Sequence, residues 1–159
     1  DGIAWMREEE KLARDVYQAL GELYSLPVFS TIAGSERTHM DAVGTLLERY
    51  GIDDPTAGRA AGEVADPDLQ KLYDALLAQG KVSLSEALSV GATIEEVDIV
   101  DLRARASEAP DVAFVYGVLE RGSENHLRAF TRLYERVSGA SYQPQYLDAG
   151  DLARILAGG

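Results

Sequence analysis

Cysteine is absent from this chain. That excludes disulfides, zinc–thiolate sites, iron–sulfur clusters and a rubredoxin-type iron centre, so any metal must bind through oxygen and imidazole nitrogen. Long apolar runs are missing too: none reaches the roughly 18 uninterrupted residues of a membrane span. No leader with a basic start and an apolar middle is visible. The chain opens at Asp1 almost inside its first helix, which leaves room for a trimmed leader; the reading is a soluble protein, cytoplasmic or exported. Basic residues are scarce, 15 Lys and Arg against 27 Asp and Glu, for a net charge of −12. Such a surface repels phosphate backbones and disfavours nucleic acid. It keeps a protein soluble, and it also sets up a field that attracts metal cations.

What is present suits a single domain spanning 1–159: 159 residues, 46% of them hydrophobic, are enough to bury a core. Prolines and glycines cut the chain into helical stretches and leave no alternating strand pattern. The first stretch runs from about Ile3 to Tyr24 and is broken by Ser25-Leu26-Pro27. The second runs from about Val28 to Tyr50 and stops at Gly51. Residues 51–65 read as a loop, and Asp66-Pro67 opens a short helix to Gln79. Ser83 and Glu86 form a capping-box pattern for a third long helix to about Glu108. Pro110 opens a fourth, to Val137. A tail through Tyr142, Pro144 and Tyr146 leads to a last short helix capped by Asp148. The predicted fold is all-α: four long helices over about 3–137, a long connection between the second and third, and a docking tail over 138–159.

Each long helix breaks its apolar seam with an acid or a histidine. In the first, Ile3, Met6, Ala13, Tyr17, Leu20 and Tyr24 form a stripe that includes Glu10, while a neighbouring stripe includes Glu9 instead. One of the two is expected to point inward. In the second, Phe29, Ile32, Val43, Leu46 and Tyr50 flank Glu36 and His39, whose spacing of three places both on one side of the helix. The third seam, through Leu84, Leu88, Gly91 and Leu102, holds Glu95 and Asp98. The fourth, through Val112, Val115, Leu119, Gly122, Ala129 and Leu133, holds His126. Taken singly, these residues read as a buried ion pair, a solvated face, helix-dipole acids and, for Tyr17, a core tyrosine. Taken together they read otherwise. Buried carboxylates are costly unless compensated, and the chain's only two histidines both fall on seams. A pair of divalent cations is the simplest compensation, and this ligand set suits iron or manganese.

These residues resemble the ferritin-like superfamily. Glu10-x-x-Ala13-x-x-x-Tyr17 resembles the first-helix signature of ferritins and rubrerythrins, which favours Glu10 over Glu9 as the ligand and places Tyr17 close to the site. Glu36-Arg37-Thr38-His39 is similar to the second-helix Glu-x-x-His. Glu95-Glu96-Val97-Asp98 is similar to the rubrerythrin Glu-x-x-Glu, and Ser123-Glu124-Asn125-His126 to the fourth-helix Glu-x-x-His. Ser123 departs from that pattern, since it stands where a bridging Glu is expected, and Asp98 can restore the count of four carboxylates. The phrases Met6 to Asp15 and Ser35 to Met40 also resemble a microbial branch of the superfamily.

The resemblance implies a ferritin-like bundle with metal ligands Glu10, Glu36, His39, Glu95, Asp98 and His126. It implies two divalent ions, iron first and manganese second, with Tyr17 as the candidate catalytic residue. Three functional readings stand at this point. One is an oxidoreductase acting on dioxygen or peroxide, another an iron-storage or ferroxidase protein, the third a helical binding module with structural metal or none. The expected partners are metal ions and dioxygen or peroxide, with room for a homodimer.

Overall fold

Two residues, Ser25 and Leu26, separate the long helices α1 (Gly2–Tyr24) and α2 (Pro27–Tyr50). Helices joined by so short a link can pack along their length, as these do, only if α2 runs back along α1. Ser25 takes the turn with a positive φ of 52°, and its amide donates to the Gly21 carbonyl at 2.9 Å. The computed structural model describes residues 2–107 and 109–158, which are all-α with six helices and no strand among them. The others are α3 (Pro67–Gly80), α4 (Leu84–Ala104), α5 (Pro110–Ser138) and α6 (Ala149–Leu156). α4 packs along α5, α1 against α4, and α2 against α5. No described helix is long and apolar enough to cross a membrane.

Most expected helix ends hold. Gly51 closes α2 in the left-handed conformation, Asp66 caps α3 by accepting from the Asp68 and Leu69 amides, and Asp148 caps α6. Two do not. The capping box at α4 forms only half: Ser83 accepts from the Glu86 amide at 3.1 Å, but the Glu86 carboxylate turns away to Gln79 Nε2. α4 also stops at Ala104 instead of near Glu108 (Glu108 itself lies outside the described residues), because Arg105 leaves the helical region at φ −100°, ψ 17°.

Two features bury more of the chain than its seams announce. The 51–66 connection folds over α1, where buried Lys11 donates to the Ala60 carbonyl at 2.7 Å and to Asp15. Asp15 also accepts from the Gly62 amide, and Glu8 from the Ala65 and Asp66 amides. The tail covers α4 through Glu96, which is wholly buried and accepts from the amides of Gln145, Tyr146 and Leu147 and from the Tyr142 hydroxyl. On α5 the expected seam is displaced. Tyr116, Ser123, Leu127 and Phe130 are buried, whereas Val115, Gly122, Ala129 and Leu133 are only half-buried.

Two apolar clusters fill the interior, one toward each end of the long helices. One gathers Tyr17, Leu20, Phe29, Ile32, Leu88, Leu127 and Phe130, the other Met6, Val43, Leu46, Leu102, Val112 and Leu119. Each fully buried large apolar side chain contributes about 1.5–3 kcal/mol. That drive offsets the cost of the polar layer that lies between the clusters.

Candidate metal centre

The polar layer takes residues from all four long helices. α1 carries Glu10, α2 carries Glu36 and His39 one turn apart, α4 carries Glu95 and Asp98 one turn apart, and α5 carries His126 and Ser123. The five carboxylate and serine side chains at Glu10, Glu36, Glu95, Asp98 and Ser123 are all buried. The histidines are less so, with side chains 9% and 11% exposed, which puts the layer's nearest approach to solvent at the α2–α5 seam. Gly122 makes that seam possible. A Cβ there would lie 2.6 Å from His39 Cε1 and Nε2, so only glycine lets the imidazole close against α5.

Glu36 is the centre of the arrangement. Its Oε2 lies 2.9 Å from His39 Nδ1, and its Oε1 lies 2.8 Å from His126 Nδ1. Glu10 Oε2 approaches His39 Nδ1 at 3.3 Å, and Glu95 Oε2 approaches His126 Nδ1 at 3.4 Å. Two triads result, Glu10–Glu36–His39 and Glu36–Glu95–His126, each with its ligand atoms within 4.8 Å of one another. The two imidazoles stack with centroids 5.7 Å apart. Tyr17 donates to Glu95 Oε1 at 2.5 Å, and Ser123 donates to Asp98 Oδ2.

Hydrogen bonds leave this layer unsatisfied. Among the described residues, all but one of the buried side-chain polar atoms without a partner lie in or beside it. They are Glu10 Oε1, Glu36 Oε1, Asp98 Oδ1, His126 Nδ1 and both oxygens of Glu9. Glu36 Oε1 and His126 Nδ1 are close, yet off the hydrogen-bonding direction, so proximity does not satisfy either. Buried polar groups in folded proteins are nearly always paired. Orphan oxygens and an imidazole nitrogen converging from several helices are a donor set that could hold a cation.

The electrostatics follow from crowding. Burial raises Glu10 well above the carboxylate range, and the Asp98 and Glu36 charges add to it. Burial likewise raises Glu95, with the Glu36 charge behind it. Asp98 is pushed up to about 8 by burial and by Glu95 and Glu36, against the opposing Ser123 hydrogen bond. Burial alone would raise Glu36 too, but the two imidazoles drawn against it outweigh burial and hold it at about 2. The carboxylates reverse the effect of burial on the histidines as well, lifting His39 and taking His126 to about 10. Burial and the Glu95 charge hold the Tyr17 phenol well above its ordinary value.

The structure brings Glu10, Glu36, His39, Glu95 and His126 into the two triads, sets Asp98 beside them on Ser123, and sets Tyr17 against Glu95. The expectation that only one of Glu9 and Glu10 points inward is corrected. Both are buried, because the 51–66 connection and α4 close over α1 on several sides. Glu10 joins the triad. Glu9 lies among Asp98, Asp101 and Arg105, raised well above its ordinary value by burial and the two aspartates. Asp101 is itself held by Trp5 Nε1 at 2.7 Å.

The molecule is thus an all-α protein whose long helices enclose a buried carboxylate–histidine layer. By sequence it belongs to the family described as "Uncharacterized protein domain (DUF2202)", which matches residues 1–158. It is 45% identical over 159 residues to the uncharacterized protein MJ0754 of Methanocaldococcus jannaschii, a match covering 99% of this chain and 85% of that protein. Its structure is similar to the crystal structure of the hypothetical protein MJ0754, with a TM-score of 0.95 at 44% identity. That alignment covers 99% of this chain and 91% of the other.

Proposed function

We propose that this chain is a ferritin-like dimetal carboxylate protein, an oxidoreductase acting on dioxygen or peroxide. One observation carries the reading: the two oxygens of Glu36 face the Nδ1 atoms of two different histidines, so a single carboxylate serves two ligand triads. A lone buried ion pair needs one histidine and leaves no second half-site. One group or more from each of four long helices, with a long connection bearing α3 between the second and the third, is also the ferritin-like plan.

The residues fit two divalent ions. Glu10, Glu36 and His39 would hold the first, and Glu36, Glu95 and His126 the second, with Asp98 offering its unpartnered Oδ1. Four positive charges would meet the four carboxylates of Glu10, Glu36, Glu95 and Asp98. Oxygen and imidazole donors without thiolate suit iron or manganese. Such ions supply Lewis acidity and exchangeable electrons toward an oxidant. The chain's own part is to exclude bulk water with the two apolar clusters, to orient Glu95 through Tyr17, and to hold a proton at the Tyr17 hydroxyl 2.5 Å from Glu95 Oε1.

The test is elemental analysis of protein purified without chelators, followed by consumption of peroxide and of dioxygen by the loaded protein. Two ions per chain and turnover above free metal are expected. One ion or none, or no turnover with two, overturns the reading.

A further inference from the structure

Several buried acids lie outside the two triads. Glu8, Asp15 and Glu96 accept from backbone amides. Glu9 does not: it is 2% exposed, and neither of its oxygens has a hydrogen-bond partner among the described residues. Its direction follows from the register of α1 against α4. Trp5 Nε1 donates to Asp101 Oδ2 at 2.7 Å and Tyr17 to Glu95 Oε1 at 2.5 Å, so the two helices run antiparallel. Glu9 follows Trp5 by one turn on the same face, which sets it between the levels of Asp101 and Asp98.

Both aspartates bring free oxygens there. Asp98 Oδ1 has no partner, and Asp101 makes its hydrogen bond to Trp5 through Oδ2, leaving Oδ1 without one among the described residues. The Asp101 side chain is 23% exposed, so one side chain separates Glu9 from solvent. The cation beside them is Arg105. It lies 3.6 Å from Asp101 Oδ2 and 4.6 Å over the Trp5 ring, and it forms no ion pair with Glu9. Three carboxylates against one guanidinium leave an excess of two negative charges.

We propose that Glu9 and Asp101 hold a third divalent cation, a hard ion such as manganese or magnesium, with Asp98 behind them and water completing its coordination. The donors are carboxylate oxygens without an imidazole. Hard cations that keep several waters are bound in this way, by one or two carboxylates. The site is weaker than the triads. They alone, among the described residues, bring three ligand atoms within 4.8 Å of one another, so Glu9 and Asp101 must close on their ion. An ion held so loosely is lost on desalting, and the two of the triads remain.

The test uses terbium(III), a hard, oxygen-seeking ion that emits when it takes up excitation from a nearby tryptophan. Trp5 is the chain's only tryptophan, and its indole is hydrogen-bonded to Asp101. The full chain is loaded with zinc to fill the triads, desalted, and titrated with terbium under excitation that tryptophan absorbs and tyrosine does not. Emission is expected to saturate at one terbium per chain, and excess manganese to displace it. Glu9→Gln and Asp101→Asn keep the size of each side chain and remove its charge. Each should bind terbium about tenfold more weakly or worse and retain the zinc of the wild type. No saturable emission in the wild type, emission that excess manganese leaves unchanged, or equal dissociation constants in all three proteins overturns the inference. Zinc analysis of the same samples separates the two ideas. Two zinc ions per chain without terbium binding overturns this inference alone, whereas terbium binding that depends on Glu9 in a chain that takes up no zinc overturns the dimetal reading alone.

Discussion

The Ser123 hydroxyl on α5 donates to Oδ2 of Asp98 on α4 and leaves Oδ1 of that carboxylate without a partner. The bond fixes which way Asp98 points. Under the proposed dimetal reading Ser123 stands where a bridging glutamate is expected, and a neutral hydroxyl brings no charge to offset a cation. Its use here is to aim the carboxylate from the facing helix.

Replacing Asp98 by Asn keeps the size and the Ser123 contact but removes one of four negative charges. Asp98→Asn is therefore expected to lower affinity at one metal position by about tenfold or more while sparing the other. Metal titration followed by elemental analysis of both proteins checks this. Equal two-metal occupancy would show that Asp98 is no ligand.

Glu36→Gln has a wider effect, because both triads share that residue. Loss of both metal positions is expected, together with all oxidant turnover. The metal-free protein should also lose stability, by on the order of 3 kcal/mol, since the amide leaves two buried imidazoles without their shared carboxylate. Denaturant unfolding of the two metal-free proteins reads that cost separately from metal content. An equally stable variant that still binds two ions would remove Glu36 from the centre.

Much of this was legible in the sequence, for a physical reason. Glu36, His39, Glu95 and Asp98 interrupt apolar repeats whose phase is set by neighbours such as Ile32, Val43, Leu88 and Leu102, so their direction follows from helical periodicity alone. The same logic failed where helices are covered on more than one side. Glu8, Glu9 and Glu10 are consecutive and all buried, which no single stripe permits; the 51–66 connection and α4 bury them from different directions. On α5, Phe114 and Val118 are apolar yet exposed, and Phe114 is 71% so. They blur the stripe and displaced the reading toward Gly122, leaving buried Tyr116 and Phe130 off the expected seam. Glu96 offered no signal, because its partners are backbone amides of a tail some fifty residues away.

The pKa shifts set opposite pH dependences for the metal-free and metal-loaded protein. Asp98 rises from an ordinary 3.8 to about 8 in the fold, and His126 from 6.5 to about 10. Groups raised on folding stabilise the native state while protonated, so their contribution is lost as pH climbs through those ranges. Glu36 works the other way. Lowered from 4.5 to about 2, it stabilises above the first value and loses its effect as pH falls toward the second. The layer thus favours the metal-free fold most near pH 4 to 5 and weakens it upward, most steeply between about 6.5 and 8, where Asp98 and His126 overlap. One titrating group changes stability by at most about 1.4 kcal/mol per pH unit. Metal requires the same groups deprotonated, so its affinity climbs with pH and binding releases protons. Thermal melts at about pH 5, 6.5 and 8, with and without metal, should show a gain from metal that widens with pH. A constant gain would contradict these protonation states.

Tyr17→Phe separates a structural tyrosine from one that takes part in turnover. The ring packs against Phe130 with centroids 5.1 Å apart, and phenylalanine preserves that contact, so the fold should survive. What is lost is the hydroxyl that donates to Glu95 Oε1 at 2.5 Å and to the Gly91 carbonyl at 3.3 Å. Leaving a buried carboxylate without its donor costs about 1–3 kcal/mol. The Tyr17 bond also opposes the burial that raises Glu95, so without it Glu95 keeps its proton to higher pH. Metal affinity at the Glu36–Glu95–His126 triad should therefore fall several-fold near neutral pH and recover as pH rises. If Tyr17 did no more than position Glu95, saturating metal would restore turnover in full. As the group that holds a proton on Glu95, beside the two triads, it is expected to do more. With both metal positions filled, Tyr17→Phe should still show a kcat lower by about a hundredfold or more, the range of positioned proton donors. Turnover measured against metal concentration at two pH values decides the matter: full recovery of kcat at saturating metal would leave Tyr17 a positioning residue only.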